Sequence, residues 1–238
     1  IKKYLKNVKL IDIGKERIEI RAEKTAEEIK KIKIAIKITD NIFSKIIKNF
    51  NFKNEKEIEN FIEKEAKKNS CKLAFPPIIA SSVNSSMPHY EKNNKNIEKG
   101  FLVMDFGVNY EGYNSDITRT IYIGTPSEKE KEDYYKLLGV QEEAIRNLKA
   151  GVDFRKIDSN VRKVLGKEFI HSVGHGLGID VHESLTSNPK KTILKENMIL
   201  TVEPGVYYKN RYGIRIEDDI LITKIGFEIL TKSTKELI

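Results

Sequence analysis

Four carboxylates stand out by where they fall. Asp105 and Asp116 lie in residues 102–124 (LVMDFGVNYEGYNSDITRTIYIG), where two apolar, β-branched runs flank Asn109, Tyr110, Glu111 and Gly112. That pattern reads as strand, tight turn, strand. The two aspartates are equidistant from a turn centred between Tyr110 and Glu111, which predicts that they face each other across the ladder. Side chains directly opposite in such a ladder have Cβ atoms about 4.5–5.5 Å apart, and like charges there repel. A cation between them would offset the repulsion. Glu203 and Glu217 repeat the design in residues 198–223 (MILTVEPGVYYKNRYGIRIEDDILIT), symmetric about Asn210. Their neighbours Leu200, Val202, Ile214 and Ile216 are apolar, a setting in which an unpaired charge is costly.

Histidines supply the rest of the chemistry. Three of the four, His171, His175 and His182, fall in residues 169–183 (FIHSVGHGLGIDVHE), too densely to be explained by packing alone. Gly174, Gly176 and Gly178 permit unusual backbone angles or close approach around His175. No following helix with Lys and Ser/Thr supports a phosphate loop there. The fourth, His89, follows Pro88 at the end of a Ser/Asn-rich loop; read alone, it would be a solvent-exposed loop histidine. Four carboxylates and one imidazole form an oxygen-rich set suited to two divalent cations of the Mn, Co, Fe or Zn type. The four negative charges match two such ions. Two metals about 3.5–4 Å apart can hold a bridging water, make it hydroxide at neutral pH and polarise a carbonyl. That is the apparatus for hydrolysing an amide bond. The remaining histidines would be proton donors or oxyanion contacts.

The elements that must position these groups can be read from caps and periodicity. Residues 1–20 read as a short strand or linker. Thr25 and Glu28 form a capping box for a long amphipathic helix, with Ile29, Ile32, Ile36, Phe43 and Ile46 at helical spacing, to about Asn49. Asn54 and Glu57 cap a second, with Ile58, Phe61, Ile62 and Ala66 inward. Ser127 and Glu130 cap a third long helix carrying Tyr134, Leu137 and Gln141. Asp153 opens a shorter one with Ile157, Val161 and Val164 inward. Two helix-plus-hairpin units, each giving two carboxylates, predict a pseudo-symmetric α+β domain with the site between its halves. Nothing after Thr223 carries a catalytic signature.

At 238 residues with a net charge of +8, the chain suits one large domain or two small ones. The lysines are interleaved with glutamate, as in EKEIENFIEKEAKK, and there is no basic block with stacking aromatics, so a nucleic-acid partner is not expected. No apolar run of about 18 residues suggests a membrane span. The N-terminal residues lack an apolar signal core and cleavage site. A single cysteine, Cys71, rules out an internal disulfide and fits a cytoplasmic protein.

The motifs DFGVNYEGYNSDITRT, HSVGHGLGIDVHE, TVEPGVYY and GIRIEDD closely resemble the pita-bread metallopeptidases: methionine aminopeptidase, aminopeptidase P, prolidase and creatinase. The resemblance implies the α+β pita-bread fold over residues 21–238, with residues 1–20 the remnant of a missing N-terminal domain. It implies that Asp105 binds one metal, His175 and Glu203 the other, and that Asp116 and Glu217 bridge. Glu203 would also handle the proton of the attacking water. His89 and His182 match substrate-contacting, catalytic histidines, and His171 a substrate-binding residue of the pocket wall. Arg215 matches the arginine that orients a metal-bound aspartate. The prolidase branch fits best, on SDITRT, the TVEPG segment, RIEDD and the 14-residue step from Glu203 to Glu217. Ser82 stands where the family usually has glycine, and Asn197-Met198 where it has Gly-Met. The expected protein is therefore a dinuclear Mn- or Co-dependent peptidase, with Zn or Fe as alternatives, hydrolysing Xaa-Pro bonds through a metal-bridging hydroxide. Its partner is a peptide with proline second, and a homodimer is left open. Competing readings are a methionine or general aminopeptidase and a non-catalytic peptide-binding relative.

Overall fold

Two long hairpins, each interrupted at its carboxylates, form the frame of the molecule. The computed structural model describes residues 11–90, 94–188 and 190–238. Helices α1 (Gly14–Ala22), α2 (Ala26–Lys48) and α3 (Glu55–Lys68) come first. Strands β1 (Lys72–Leu73), β2 (Ile78–Ser81), β3 (Gly100–Phe106), β4 (Val108–Tyr110), β5 (Tyr113–Asn114) and β6 (Ile117–Ile123) follow. The second half repeats the order, with α4 (Glu128–Arg146) and α5 (Phe154–Leu165) before β7 (Ile199–Val202), β8 (Gly205–Tyr208), β9 (Tyr212–Arg215), β10 (Asp218–Ile222) and β11 (Phe227–Ile229). In each half the hairpin breaks and resumes immediately after a carboxylate: β6 begins after Asp116, and β10 after Glu217.

Both capping boxes form, Thr25 with Glu28 and Ser127 with Glu130. Asn54 and Asp153 cap α3 and α5 through their side chains. Each half centres on one core, and a third joins them, with Ile32 and Ile36 of α2 against Leu177, Ile199 and Leu221. In the first half, Ile42, Phe43, Ile46, Ile58 and Ile62 pack on Leu102, Met104 and Phe106. In the second, Tyr134, Leu137, Ile157 and Val161 pack with Leu200, Val202, Ile214 and Ile220. Val164, expected inward on α5, is 54% exposed, and Leu165 is buried instead; Ile157, Val161 and Leu165 recur every four residues, which keeps one face. Among the described residues no helix is long and apolar enough to cross a membrane.

Two further expectations need correction. Residues 14–22 are a helix, not strand or linker; residues 1–10 lie outside the described residues. The first hairpin is offset from the expected register. Asp105 pairs with Thr118, and Asn109 with Asn114, so the turn centre is Glu111-Gly112, where φ is +48° and +88°. A two-residue hairpin turn with φ > 0 at both positions favours glycine in it, and Gly112 draws the turn one residue onward. Asp116 therefore lies diagonally from Asp105 on the same face, not directly opposite. The second hairpin has the expected register: Val202 pairs with Asp218 and Gly205 with Arg215, on either side of Glu203 and Glu217.

Candidate active site

The two halves meet along β6. Glu217 N–H donates to the Thr118 carbonyl oxygen at 3.1 Å, and Thr118 Oγ1 donates to Glu217 Oε2 at 2.7 Å. Arg215 and Thr120 exchange hydrogen bonds one step further along. This seam brings the second hairpin's carboxylates over the first hairpin's. A cavity of about 440 Å³ opens there, with Asp105, Asp116, Glu203 and Glu217 on its wall together with His89, His171, His175 and His182. All eight sequence-predicted metal and histidine positions, and Arg215, line this one cavity.

Asp116, His175 and Glu217 offer ligand atoms that all lie within 4.8 Å of one another. His175 Nδ1 is 3.0 Å from the Gly176 carbonyl oxygen, an acceptor only, so Nδ1 carries a proton. Nε2 is left facing Glu203 Oε1 at 3.2 Å and Asp116 Oδ2 at 3.7 Å. Asp105 and Glu203 flank the group of three. Asp105 Oδ1, Asp116 Oδ1 and Glu217 Oε1 are buried without a hydrogen-bond partner. Burial, then Glu217 and Asp105, pushes Asp116 well above the ordinary carboxylate range, and burial, then Glu203 and Asp105, does the same to Glu217. Burial also raises Asp105, against the pull of Arg215. Burial opposes the charge on Glu203 as well, but its contact with His175 outweighs this and leaves the carboxyl below its usual range. Buried, unpartnered carboxylate oxygens converging with an imidazole nitrogen are what hard or borderline divalent cations bind. The residues fit such ions.

Arg215 ties the wall together. Its Nη2 donates to Asp105 Oδ2 at 2.5 Å, Nε to Thr118 Oγ1 at 3.1 Å, and Nη1 to Tyr207 Oη at 2.8 Å and to the Pro88 carbonyl at 3.3 Å. One guanidinium thus orients a ligand-type aspartate and holds the residue before His89. Tyr207 Oη lies 2.9 Å from His171 Nε2, whose Nδ1 faces the Ser172 carbonyl, so the phenol donates to His171 while accepting from Arg215. Sequence reading missed Tyr207; its place opposite Gly213 on β8, two pairs from Arg215, is the signal that could have found it. It also missed Arg119, buried behind Glu217. That guanidinium donates to the Glu217 carbonyl, to Asp218 Oδ1 at 2.7 Å and to the Ser233 and Thr234 carbonyls. The segment after Thr223 thereby braces the ligand strand.

Of the two reasons the sequence offers for the glycines around His175, close approach is the one that applies, since none of the three has a positive φ. A Cβ at Gly174 would lie 2.0 Å from the Thr201 carbonyl oxygen. The segment runs hard against β7, with His175 N–H donating to Thr201 Oγ1 and Thr201 N–H to the His175 carbonyl. Close backbone approach sets the glycine.

Known proteins share this chain's sequence pattern and fold. The profile described as metallopeptidase family M24 matches residues 30–224. The Xaa-Pro dipeptidases of Pyrococcus horikoshii and Pyrococcus furiosus are each 42% identical over 229 residues, 92% of this chain, and the chain spans 65% and 66% of their lengths. A solved X-Pro aminopeptidase from Thermotoga maritima superposes with a TM-score of 0.92 at 37% identity, covering 100% of this chain and 70% of its own. A solved Xaa-Pro dipeptidase from Bacillus anthracis gives 0.87 at 40%, covering 93% and 65%. The α+β pita-bread fold is common to them all. On that match, the chain belongs to metallopeptidase family M24.

Proposed function

We propose that this chain is a dinuclear metal-dependent peptidase that hydrolyses Xaa-Pro bonds. The observation that carries the reading is the convergence of Asp105, Asp116, His175, Glu203 and Glu217 on one cavity, with three carboxylate oxygens buried and unpartnered. Manganese or cobalt suits this donor set, with zinc or iron as alternatives. Asp105 would hold one ion, His175 and Glu203 the other, and Asp116 and Glu217 both. When bound, the ions would supply a hydroxide nucleophile at neutral pH and polarise the scissile carbonyl. The chain's own groups do the rest. Glu203 takes the proton of the attacking water and passes it to the prolyl nitrogen as the C–N bond breaks, leaving a carboxylate and a secondary amine. His89 and His182 contact the peptide from opposite loops, and His171 with Tyr207 forms the wall behind. Arg215 holds Asp105 in place. The relatives named Xaa-Pro dipeptidase support proline at the second position. Buried Cys71 supports a reducing, cytoplasmic setting.

A panel of dipeptides and longer peptides, with Pro or another residue second, assayed with added Mn, Co or Zn, tests the reading. Ala-Pro and Met-Pro should be cut and Met-Ala-Ser barely. Faster cleavage of Met-Ala-Ser would assign a methionine or general aminopeptidase instead.

A further inference from the structure

Glu183, the residue after His182, is a buried glutamate that no step above uses. Its side chain is 5% exposed and its two oxygens collect two cations from the far end of the sequence. Arg21 Nη2, at the C-terminal end of α1, donates to Oε1 at 2.5 Å. Lys24 Nζ, itself 2% exposed, donates to Oε2 at 2.9 Å. Oε1 also accepts from the Ile179 and Asp180 backbone N–H groups at 2.9 and 3.3 Å, so the chain from Gly178 onward wraps around the carboxylate. Gly178 leaves room for this, since a Cβ there would lie 2.7 Å from Glu183 Oε1 and would displace the carboxylate. Arg21 Nη2 closes the wrap from outside by donating to Asp180 Oδ2 at 2.7 Å. Along the backbone, Glu183 and Gly176 exchange both N–H···O bonds, at 2.9 and 2.8 Å. That bridge sets His182 beside His175, whose rings meet edge to face with centroids 4.0 Å apart.

A second tether reaches the same loop from α1. Glu19 Oε1 accepts from Ser187 N at 3.0 Å, Ser187 Oγ at 2.9 Å and Thr186 Oγ1 at 3.3 Å, while Oε2 meets Lys195 Nζ at 3.3 Å. These bonds, the backbone one first, hold the Glu19 carboxyl down to about 2. Helix α1 therefore grips both ends of residues 178–188 through side chains about 160 positions away in sequence. Within α1, Ile20 is 75% exposed and Ala22 is the one fully buried side chain, so α1 gains little from packing. Ion pairs and hydrogen bonds are what it contributes.

We propose that α1 and the turn after it form a clasp: Arg21 and Lys24 on Glu183, with Glu19 on Ser187, position His182 against the substrate, making these five positioning residues of the active site. The proposal rests on the reading of His182 as a substrate-facing histidine. Misplacing a catalytic-site group by about 1 Å can cost on the order of 10²-fold in rate, and a clasp of this kind acts at that scale. It also means that a force or ligand displacing α1 reaches His182 without touching the cavity.

A double-mutant cycle with a separate structural readout tests it on the full chain loaded with Mn. Arg21→Met should lower kcat for Ala-Pro about 10–100-fold, and Arg21→Lys should recover part of it. In a His182→Ala background, Arg21→Met should cost less than about 2-fold more, because the residue it positions is gone. In metal-free protein, hydrogen exchange of residues 178–188 should quicken at least 10-fold in Arg21→Met and in Glu19→Gln, with the β7–β10 hairpin unchanged. Equal losses of kcat in both backgrounds would overturn the clasp in favour of a general stability role. Unchanged exchange in residues 178–188 would overturn it outright. Wild-type turnover by His182→Ala alone would overturn the catalytic purpose while the exchange data still report on the tether. Absence of Ala-Pro turnover in the parent protein, by contrast, is failure of the Xaa-Pro reading.

Discussion

His175 and His182 lie ring against ring, yet their surroundings separate them. His175 spends Nδ1 on the Gly176 carbonyl and aims Nε2 at Asp116 and Glu203, the posture of a ligand imidazole whose tautomer is set by its other nitrogen. His182, like His89, lines the cavity outside the group of Asp116, His175 and Glu217. His175→Ala should therefore lower bound metal per chain. His89→Ala and His182→Ala should leave metal content near the parent's while kcat falls about 10²–10⁴-fold, the range for a lost proton-transfer group. Elemental analysis and kcat on the same three proteins decide it, and metal loss in His182→Ala or parental rates in both others would show the roles misassigned. Tyr207 gives a subtler test. Its hydroxyl is shared between Arg215 and His171, and a hydrogen bond to a charged group contributes about 1.5–3 kcal/mol. Tyr207→Phe should lower kcat/KM roughly tenfold or more at unchanged metal content. A parental value would mean that Arg215 holds Asp105 without help from Tyr207.

At the scale of elements, local chemistry was legible where it acts locally. The capping boxes at Thr25 and Ser127 and the Glu203–Glu217 register follow from neighbours a few residues apart. The first hairpin's register was also legible, had Gly112 been weighted as a turn former over simple symmetry. Helix α1 was not, because its partners Glu183 and Ser187 are ionic or polar and distant, so it carries no apolar period. Backbone strain shows the same limit. Ser82 and Asn197, where the family usually has glycine, both hold left-handed backbone, at φ +55° and +66°. An L-residue there costs roughly 1–2 kcal/mol, less for Asn, while glycine costs about 0.5–1 kcal/mol of entropy. Ser82→Gly should thus raise unfolding free energy by roughly 0.5–1 kcal/mol, and Asn197→Gly by less, measured by urea unfolding; a loss at Ser82 would mean that its side chain contributes more than the strain costs. Gly174→Ala should do the opposite. With a Cβ 2.0 Å from the Thr201 carbonyl, overpacking of about 1–3 kcal/mol must push the His175 segment off β7, and metal content should fall with stability.

For the whole molecule, the site is also a seam. Asp105 and Asp116 come from the first half and Glu203 and Glu217 from the second, joined through Thr118 and Arg215. Four carboxylates crowded there, with Asp116 and Glu217 pushed well above the ordinary carboxylate range by burial first and by neighbouring carboxylates second, oppose the docking of the halves. A bound divalent cation reverses that opposition, because the charges that repel one another all attract it. Ligand that binds only the native state adds about 2.7 kcal/mol at a hundred times its Kd. For a chain of this size each kcal/mol shifts Tm by roughly 2–4 °C, so saturating Mn or Co should raise Tm by about 5–10 °C over chelator-treated protein. Activity and stability should return together over one titration, since the same ions serve both. Asp116→Asn, which removes one of the repelling charges, should make metal-free protein less dependent on added ion while lowering its metal content. Calorimetry of the parent and this variant, with and without Mn, measures both effects. A Tm unmoved by metal in the parent, with the ions shown to be bound by elemental analysis, would mean that the halves dock without them and that the carboxylate repulsion is relieved by protons alone.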